Sequence, residues 1–412
     1  MRILGGSIFA LVLLAGRAHA QSDVQFTPFR DFIAGVRTAS AGDYQRDTAV
    51  FEEMRQHILS MYQDVEVSHS FVRQTYHIDC VPVLQQPSVR LLGLTSIASP
   101  PPYSPIAGDS NGAVSLTSPE DAAVEHCDAA TIPMRRITLE DLTRYATLRD
   151  YFRKSPGESV PVPGAAPAQA HRYSYTYQNV NALGGNSNLN LWSPAVNTSQ
   201  GEIFSLSQEW YVGGSGAGTQ TAEVGWQNYP GMYGSENSAL FIYWTADNYN
   251  RTGCYNLTCP GFVQTNNSWT FGGTFPNYST KGGMQYEFSA EYSFHGGDWW
   301  LALGGTWIGY YPATIYGIGQ LTHYAQLIEF GSESVGETVW PPEGSGQFAS
   351  AGDKFAAYQR HLYYIRPSAG TNAPDKLTGA EPSPACYTVA GPSQNSGWGV
   401  YFFLGGPGGT GC

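Results

Sequence analysis

The sequence has 412 residues, enough for about two domains, and 42% of them are apolar, which excludes an unfolded chain. Only 13% are charged, whereas 14% are aromatic and glycine and proline number 48 and 26, a composition that favours short strands and turns over helical bundles. The net charge is −12. Without a basic stripe to neutralise phosphates, nucleic acid is excluded as an expected partner.

The first twenty residues have the layout of a secretory signal. Arg2 precedes an apolar run over residues 3–14, and Ala18-His19-Ala20 matches an A-x-A cleavage site. The mature chain is therefore expected to begin at Gln21. No other apolar run reaches the length of a membrane span. We expect a secreted protein without a membrane partner, extracellular or, in a Gram-negative bacterium, periplasmic.

The cysteines predict disulfide bonds. An exported chain meets an oxidising compartment, and the paired Cys or His spacing of a zinc site is absent from the sequence, so neither a metal nor a cofactor is expected. Six cysteines allow many pairings. Sequence proximity favours Cys254–Cys259 and Cys386–Cys412, which leaves Cys80–Cys127 in the N-terminal half.

Helical patterns occur mainly before residue 155. Apolar residues at helical spacing predict one helix around residues 51–61 and a second over residues 139–154. Residues 155–171 are rich in proline, alanine and glycine and have the composition of a linker. We therefore expect a helix-containing α+β domain at residues 21–154 and a second domain at residues 172–412.

Beyond the linker the apolar period changes to two. Strict alternation predicts a strand at residues 286–294 with Glu287 and Glu291 on its solvated face. Glycine, asparagine and proline separate the other candidate strands. These strands are predicted at residues 203–212, 221–227, 239–245, 299–303, 324–331, 361–365 and 400–404. Many short antiparallel strands predict a mainly β fold, which we assign as a β-sandwich.

The familiar catalytic motifs are absent or out of context. Residues 108–112, Gly-Asp-Ser-Asn-Gly, match G-x-S-x-G, but they follow a proline-rich stretch instead of a strand, so a turn is the better prediction. No zincin, pepsin-like or phosphate-loop motif is present. The histidines beyond the linker lack metal-site spacing and are expected to pack or face solvent. They are His171, His295, His323 and His361.

Glutamates are the remaining candidates for chemistry. In a segment poor in charge, a carboxylate among apolar neighbours costs desolvation energy unless it is paired or protonated. Alternation places Glu223 on one strand face beside Gly225, whose small size would leave room for a ligand. Glu333 ends a later strand, where Gly331 is expected to mark a bulge that re-aims it. Glu329 is its rival.

An ordered set of motifs resembles the neprosin family. The blocks are Ser207-Gln208-Glu209-Trp210, Glu223-Val224-Gly225-Trp226-Gln227, Tyr229-Pro230-Gly231-Met232-Tyr233-Gly234, Gly253-Cys254-Tyr255-Asn256-Leu257-Thr258-Cys259, Asp298-Trp299-Trp300-Leu301 and Phe330-Gly331-Ser332-Glu333. Asp79-Cys80-Val81 and Gln85-Gln86-Pro87 resemble the family's N-terminal activation region. The resemblance covers nearly the whole exported chain.

The resemblance implies a glutamic endopeptidase that cuts after proline and is secreted as a zymogen. Its catalytic glutamates fall on Glu223 and Glu333, and plant members carry Gln at the position of Glu329, which argues against Glu329 as the second acid. The implied partners are proline-containing peptides and the chain's own N-terminal propeptide as an intramolecular inhibitor. A monomer is expected. An extended linker that holds prolines suggests self-processing at acid pH.

The expected mechanism uses two carboxyls that share one proton. The ionised member activates water and the protonated member donates to the scissile amide; which glutamate is the base stays open. Candidate oxyanion donors are Gln208, Gln227 and Gln264. Candidate aromatic surfaces for a proline ring are Trp210, Trp226, Tyr243 and Trp244.

A carbohydrate function is the alternative. Aromatic-rich sandwiches also bind sugars, and two glutamates across a cleft are the groups that a retaining glycosidase uses. Sugar hydrolysis or sugar binding without cleavage of a proline-containing peptide would favour this alternative over a peptidase.

Overall fold

The computed structural model describes residues 24–105, 113–116, 125–154, 170–368, 370–372, 374 and 376–412. The predicted signal, the Gly-Asp-Ser-Asn-Gly motif and residues 155–169 of the predicted linker lie outside the described residues. We refer to residues 24–154 as the N-terminal region and to residues 170–412 as the sandwich. Within the described ranges, no helix has the length and apolar character needed to cross a bilayer.

The helices of the described residues lie mostly in the N-terminal region, as predicted. They are α1 Phe29–Thr38, α2 Thr48–Met61, α3 Pro87–Leu91, α4 Leu139–Thr143, α5 Leu148–Phe152 and α6 Pro230–Tyr233. The prediction at residues 51–61 is confirmed by α2, which begins where the Asp47 side chain accepts hydrogen bonds from the backbone of Ala49 and Val50.

The single helix predicted over residues 139–154 is wrong, because two short helices occupy this stretch. Thr138 caps α4 and Thr147 caps α5, each through a side-chain oxygen that accepts a hydrogen bond from the backbone three residues later. The second cap starts a new helix at Leu148 instead of continuing the first. The chain therefore turns between them and brings Lys154 against the sandwich.

The strands of the described residues number twenty-one. They are β1 Ser70–Arg73, β2 Tyr76–Pro82, β3 Val114–Ser115, β4 Thr131–Arg135, β5 Ala170–Ala182, β6 Gly184–Asn190, β7 Glu202–Gly213, β8 Gln220–Asn228, β9 Ala239–Thr245, β10 Val263–Gln264, β11 Tyr286–His295, β12 Asp298–Leu303, β13 Thr306–Pro312, β14 Ala325–Gly336, β15 Val339–Trp340, β16 Ala357–Ile365, β17 Thr371–Asn372, β18 Thr378–Ala380, β19 Thr388–Asn395, β20 Gly399–Gly405 and β21 Gly409–Thr410. Each strand predicted from alternation has a counterpart among them.

Two large sheets form the sandwich. One has the strand order β18-β5-β14-β7-β8-β9, and the other runs β10-β13-β12-β11-β6-β16-β20-β19 with β17 beside β16 and β3 beside β11. Neighbouring strands are antiparallel throughout, apart from β3 on β11. Aromatic and aliphatic side chains from both sheets, among them Trp226 and Phe288, form one buried cluster between them. The predicted antiparallel sandwich is confirmed.

The N-terminal region packs on the outer face of the six-stranded sheet. Strands β2 and β4 and helices α1, α2 and α4 share a second apolar cluster with β7, β9 and β14. Met54 and Leu142 come from the helices, and Leu206 and Phe241 from the strands. The N-terminal region therefore covers this outer face and shields it from solvent.

Glu287 and Glu291 correct the prediction of a solvated face on β11. Both are buried. Arg360 forms a two-pronged ion pair with Glu287, with N–O distances of 2.8 Å, and the hydroxyls of Tyr103 and Tyr363 donate to Glu291. Residues from other elements supply the ion pair and hydrogen bonds that these buried carboxylates need. Polar residues along one face of β11 therefore do not mean that this face is exposed to solvent.

The three predicted disulfides are all present. Cys80–Cys127 lies within the N-terminal region, Cys254–Cys259 closes a short loop after β9, and Cys386–Cys412 ties the C-terminus to the sandwich. Among the described residues no cysteine is free.

Candidate functional site

Strand register brings Glu223 and Glu333 onto the outer face of the six-stranded sheet. Glu223 of β8 lies opposite Trp210 of β7, and Glu333 of β14 lies opposite Leu206 of β7. Both glutamates are buried, with at most 1% of their surface exposed. Because side chains alternate along a strand, both point away from the inter-sheet core and toward the N-terminal region.

Lys154 of the N-terminal region joins the two carboxylates. Its Nζ lies 2.5 Å from Oε2 of Glu223 and 2.9 Å from Oε2 of Glu333, and only 5% of the residue is exposed. The hydroxyl of Tyr243 donates to the carbonyl of Phe152, and that of Tyr255 donates to the carbonyl of Lys154. The sandwich therefore holds the backbone on which this ammonium is carried.

Each glutamate also has partners from the sandwich. The hydroxyls of Thr221 and Tyr249 donate to Oε1 of Glu223 at 2.7 and 2.8 Å. Glu333 accepts a hydrogen bond from Nε2 of Gln208 at 3.2 Å, and its other oxygen contacts Nδ1 of His171. The two carboxylates thus share one cation but differ in their remaining neighbours.

These contacts decide the protonation of Glu333. Burial raises its pKa, but Lys154 and His171 outweigh burial and lower the pKa to about 2. Burial lowers the pKa of Lys154, and the charges of Glu223 and Glu333 reverse this and raise it. Glu333 is therefore ionised and Lys154 is charged at any physiological pH.

The two glycines near the glutamates have a packing role that the sequence analysis did not predict. A Cβ on Gly225 would meet the carbonyl oxygen of Ser207 and lie 2.7 Å from Cα of Gln208, so this glycine permits close strand contact and opens no room for a ligand. The predicted bulge at Gly331 is wrong. Its pairing with both neighbouring strands is regular, and a Cβ there would lie 2.5 Å from Ser174 O.

Four of the predicted binding residues lie on the same sheet face as Glu223, and three of them, all but Gln227, lie at the site itself. Gln208 contacts Glu333 directly, Trp210 lies opposite Glu223 on β7, and Tyr243 lies opposite it on β9. The ring centroid of Trp210 is 5.3 Å from Nζ of Lys154, which places that indole at the site itself.

The remaining predicted binding residues make their contacts elsewhere. Trp226 and Trp244 belong to the inter-sheet cluster on the opposite face, so the prediction that they line a groove beside the glutamates is wrong. Gln227 bonds to the hydroxyls of Tyr255 and Tyr233. The side chain of Gln264, in the other sheet, donates to backbone carbonyls of its own loop.

Sequence reasoning missed Lys154, His171 and Tyr249. Lys154 was assigned to the end of a helix, and His171 to surface or packing, yet both contact the glutamates. Lys154 stands just before a proline-rich stretch and belongs to no catalytic motif. Tyr249 lies in the loop that follows β9. None of the three had a spacing signal that pointed to Glu223 or Glu333.

Several solved structures share limited similarity with the chain. Two are structures of scytalido-glutamic peptidase with transition state analogues, at 8% and 7% identity and TM-scores of 0.33 and 0.32, each covering 57% of this chain and 98% of the other. A third is CG-16, a homodimeric agglutinin from chicken liver, at 10% identity and a TM-score of 0.21, covering 40% of this chain and 95% of the agglutinin. TM-scores this low do not establish a shared fold.

The sequence match is more specific. The family model described as Neprosin matches residues 201–407, about half of the chain, and this segment contains β8 and β14 with both glutamates. The chain therefore belongs to the neprosin family.

Proposed function

We propose that this protein is a secreted glutamic-type endopeptidase that hydrolyses peptide bonds on the C-terminal side of proline. The observation that carries the proposal is the buried pair Glu223 and Glu333, whose carboxylates both lie within hydrogen-bond distance of one nitrogen. Two carboxyls this close that face a common space can share a proton and act together as acid and base.

We assign the base role to Glu333 and the acid role to Glu223. When Lys154 leaves, Glu333 keeps the contacts with His171 and Gln208, which favour its ionised form. In the proposed reaction Glu223 is therefore the member of the pair that carries the proton. Ionised Glu333 takes a proton from water as the water oxygen bonds to the carbonyl carbon. Glu223 then donates its proton to the amide nitrogen as the C–N bond breaks and the amine leaves.

Gln208 is our candidate oxyanion donor among the three glutamines. Its side chain is buried and its Nε2 is already at Glu333, so it could donate to a carbonyl oxygen bound between the glutamates. Trp210 supplies a flat apolar face at the same place, which suits the rigid ring of a proline residue.

The N-terminal region acts in this proposal as an intramolecular inhibitor. Lys154 occupies the space between the carboxylates, and its raised pKa keeps it protonated there. The stabilisation from Glu333 is present above its ordinary pKa near 4.5 and is lost as the pH falls toward about 2. Acid therefore weakens the inhibited arrangement, which supports activation at acid pH.

The test compares wild type with Glu223→Gln and Glu333→Gln on a peptide library with proline at varied positions, at about pH 4 and at neutral pH. We expect wild type to cut after proline and each variant to lose about a hundredfold or more in rate. Glu236→Gln, at an exposed acid outside the site, is the matched control. Sugar hydrolysis in place of peptide cleavage, or full activity in either variant, would refute the proposal.

A further inference from the structure

A pocket of about 240 Å³ is lined by residues that contact Glu223 or lie opposite Glu333 on the neighbouring strand. Its lining includes Thr221 and Tyr249, whose hydroxyls donate to Glu223. Tyr173, Tyr175 and Trp210 supply aromatic walls. A substrate whose scissile bond lies between Glu223 and Glu333 would therefore place a neighbouring side chain in this pocket.

The pocket carries one carboxylate that the proposed reaction does not use. Glu329 lies opposite Trp210 on β7, and Trp210 in turn lies opposite Glu223 on β8, so the three residues form a row across the sheet. Glu329 is half-buried. Within the described part of the chain, no hydrogen bond or ion pair to its carboxylate is present, although charged neighbours lie close.

The walls of this pocket already contact a cation. Nζ of Lys154 lies 5.3 Å from the ring centroid of Trp210 and 5.9 Å from that of Tyr249. Aromatic faces attract ammonium and guanidinium groups, and the carboxylates of Glu223 and Glu333 add negative potential when Lys154 leaves. The surface that holds the inhibiting lysine is thus suited to a second basic side chain.

We propose that this pocket is a substrate subsite that selects a lysine or arginine side chain close to the scissile bond, through an ion pair with Glu329 and contact with the surrounding rings. The inference rests on the proposed peptidase function and deepens it by naming a class of substrate.

The selectivity should depend on pH. Burial raises the pKa of Glu329 to about 7; the charge of Glu223 adds to this, Lys154 opposes it and Glu333 adds further. The ionisable groups that face the carboxyl from the neighbouring strands and loops are Tyr173, Tyr175 and Tyr249. When Lys154 leaves, its lowering effect on this pKa is lost. Glu329 is then neutral in acid and gains charge as the pH rises through neutrality and above, so preference for a cation is weak in acid and grows with pH.

The experiment first activates the protein at acid pH and then measures kcat/KM for matched proline-containing peptides with lysine, norleucine or glutamate at each position flanking the scissile bond. We expect lysine to exceed norleucine by about tenfold at one position at neutral pH, and the ratio to fall toward one at about pH 4. Glu329→Gln should bring the neutral-pH ratio near one, and Glu329→Lys should favour glutamate. Glu236→Gln should keep the wild-type ratio.

The outcomes separate the two proposals. Cleavage of the norleucine peptide with equal rates for lysine and glutamate at every position overturns the subsite and leaves the peptidase intact. Absence of cleavage in all peptides overturns the peptidase and the subsite with it. A Glu329→Gln variant that keeps the lysine preference also overturns the inference, and the reversed preference of Glu329→Lys shows that the altered pocket is folded.

Discussion

Lys154 compensates two buried negative charges that would otherwise repel each other. Both carboxylates are almost fully shielded from water, and the ammonium lies within 2.9 Å of each. Removal of one partner from a buried ion pair leaves an uncompensated charge, which costs far more than loss of a surface pair. The position of this one side chain therefore matters for stability and, in the proposed zymogen, for inhibition.

Replacing Lys154 with Met should lower the free energy of unfolding of the full chain by about 3 kcal/mol at neutral pH. Glu333 has a depressed pKa of about 2 against an ordinary value of 4.5, so the stability that it contributes is present above 4.5 and is lost as the pH falls to about 2. The two proteins should accordingly converge toward that pH. Urea denaturation across a pH series measures the difference.

Lys281→Met, at an exposed lysine of the sandwich, is the matched control and should unfold like wild type. A Lys154→Met difference that persists unchanged at about pH 2 would show that the loss came from packing and not from the ion pair.

Individual site residues were predictable only where a motif carried them. Glu223 and Glu333 stood in blocks of the neprosin pattern, whereas Lys154 is 69 residues from Glu223 in sequence and meets it only through tertiary packing. Glu287 shows the same limit. Its partner Arg360 is 73 residues away, and no local pattern reports that a distant arginine covers a strand's polar face.

Gly225 shows how strand spacing determines the position of the site. It lies opposite Gln208 on the neighbouring strand and two residues after Glu223, and a Cβ there would overlap the backbone of β7. A side chain at this position would push β7 and β8 apart and move both Gln208 and Glu223.

Gly225→Ala should therefore lower the free energy of unfolding by about 2 kcal/mol, because overpacking strains a buried element. Gly218→Ala, where an added Cβ meets nothing within 4 Å, should unfold at the wild-type urea concentration. The prediction is wrong if the two variants show equal midpoints in urea denaturation.

Helices and strands were predictable from the sequence where their local pattern of apolar and turn residues alone determines them. Alternation and turn residues placed β9 at 239–245 to the residue, since a short apolar run between turns has few other solutions. The break after α4 was missed because it depends on the Thr147 cap within a continuing apolar stripe. Side-chain caps compete with periodicity, and periodicity alone does not detect them.

The N-terminal region and the sandwich share a buried apolar cluster, which joins them more strongly than the chain connection alone. Met54, Ile58 and Leu142 are fully buried in it together with Leu206 and Phe241. Strand β3 also adds to β11 of the sandwich. Composition predicted the sandwich class, but it could not predict which of the two faces of a sheet receives a second domain.

A cut within residues 155–169 should leave the two parts associated at neutral pH and let them separate at about pH 2 to 3, as Glu333 loses its charge. Inserting a recognition site for a sequence-specific protease in this stretch allows the cut without the chain's own activity. Gel filtration before and after acidification gives the result. Separation at neutral pH would mean that the shared cluster and the Lys154 ion pairs do not hold the parts together.

The place of Lys154 in the chain has a further consequence. It is the last described residue before the 155–169 stretch, so any cut there leaves the ammonium attached to the departing portion. If the N-terminal region is the inhibitor that we propose, the intact chain holds it at a high effective concentration that does not depend on the protein concentration. After a cut, rebinding of the N-terminal region to the sandwich becomes bimolecular, and dilution would then keep the proposed enzyme active.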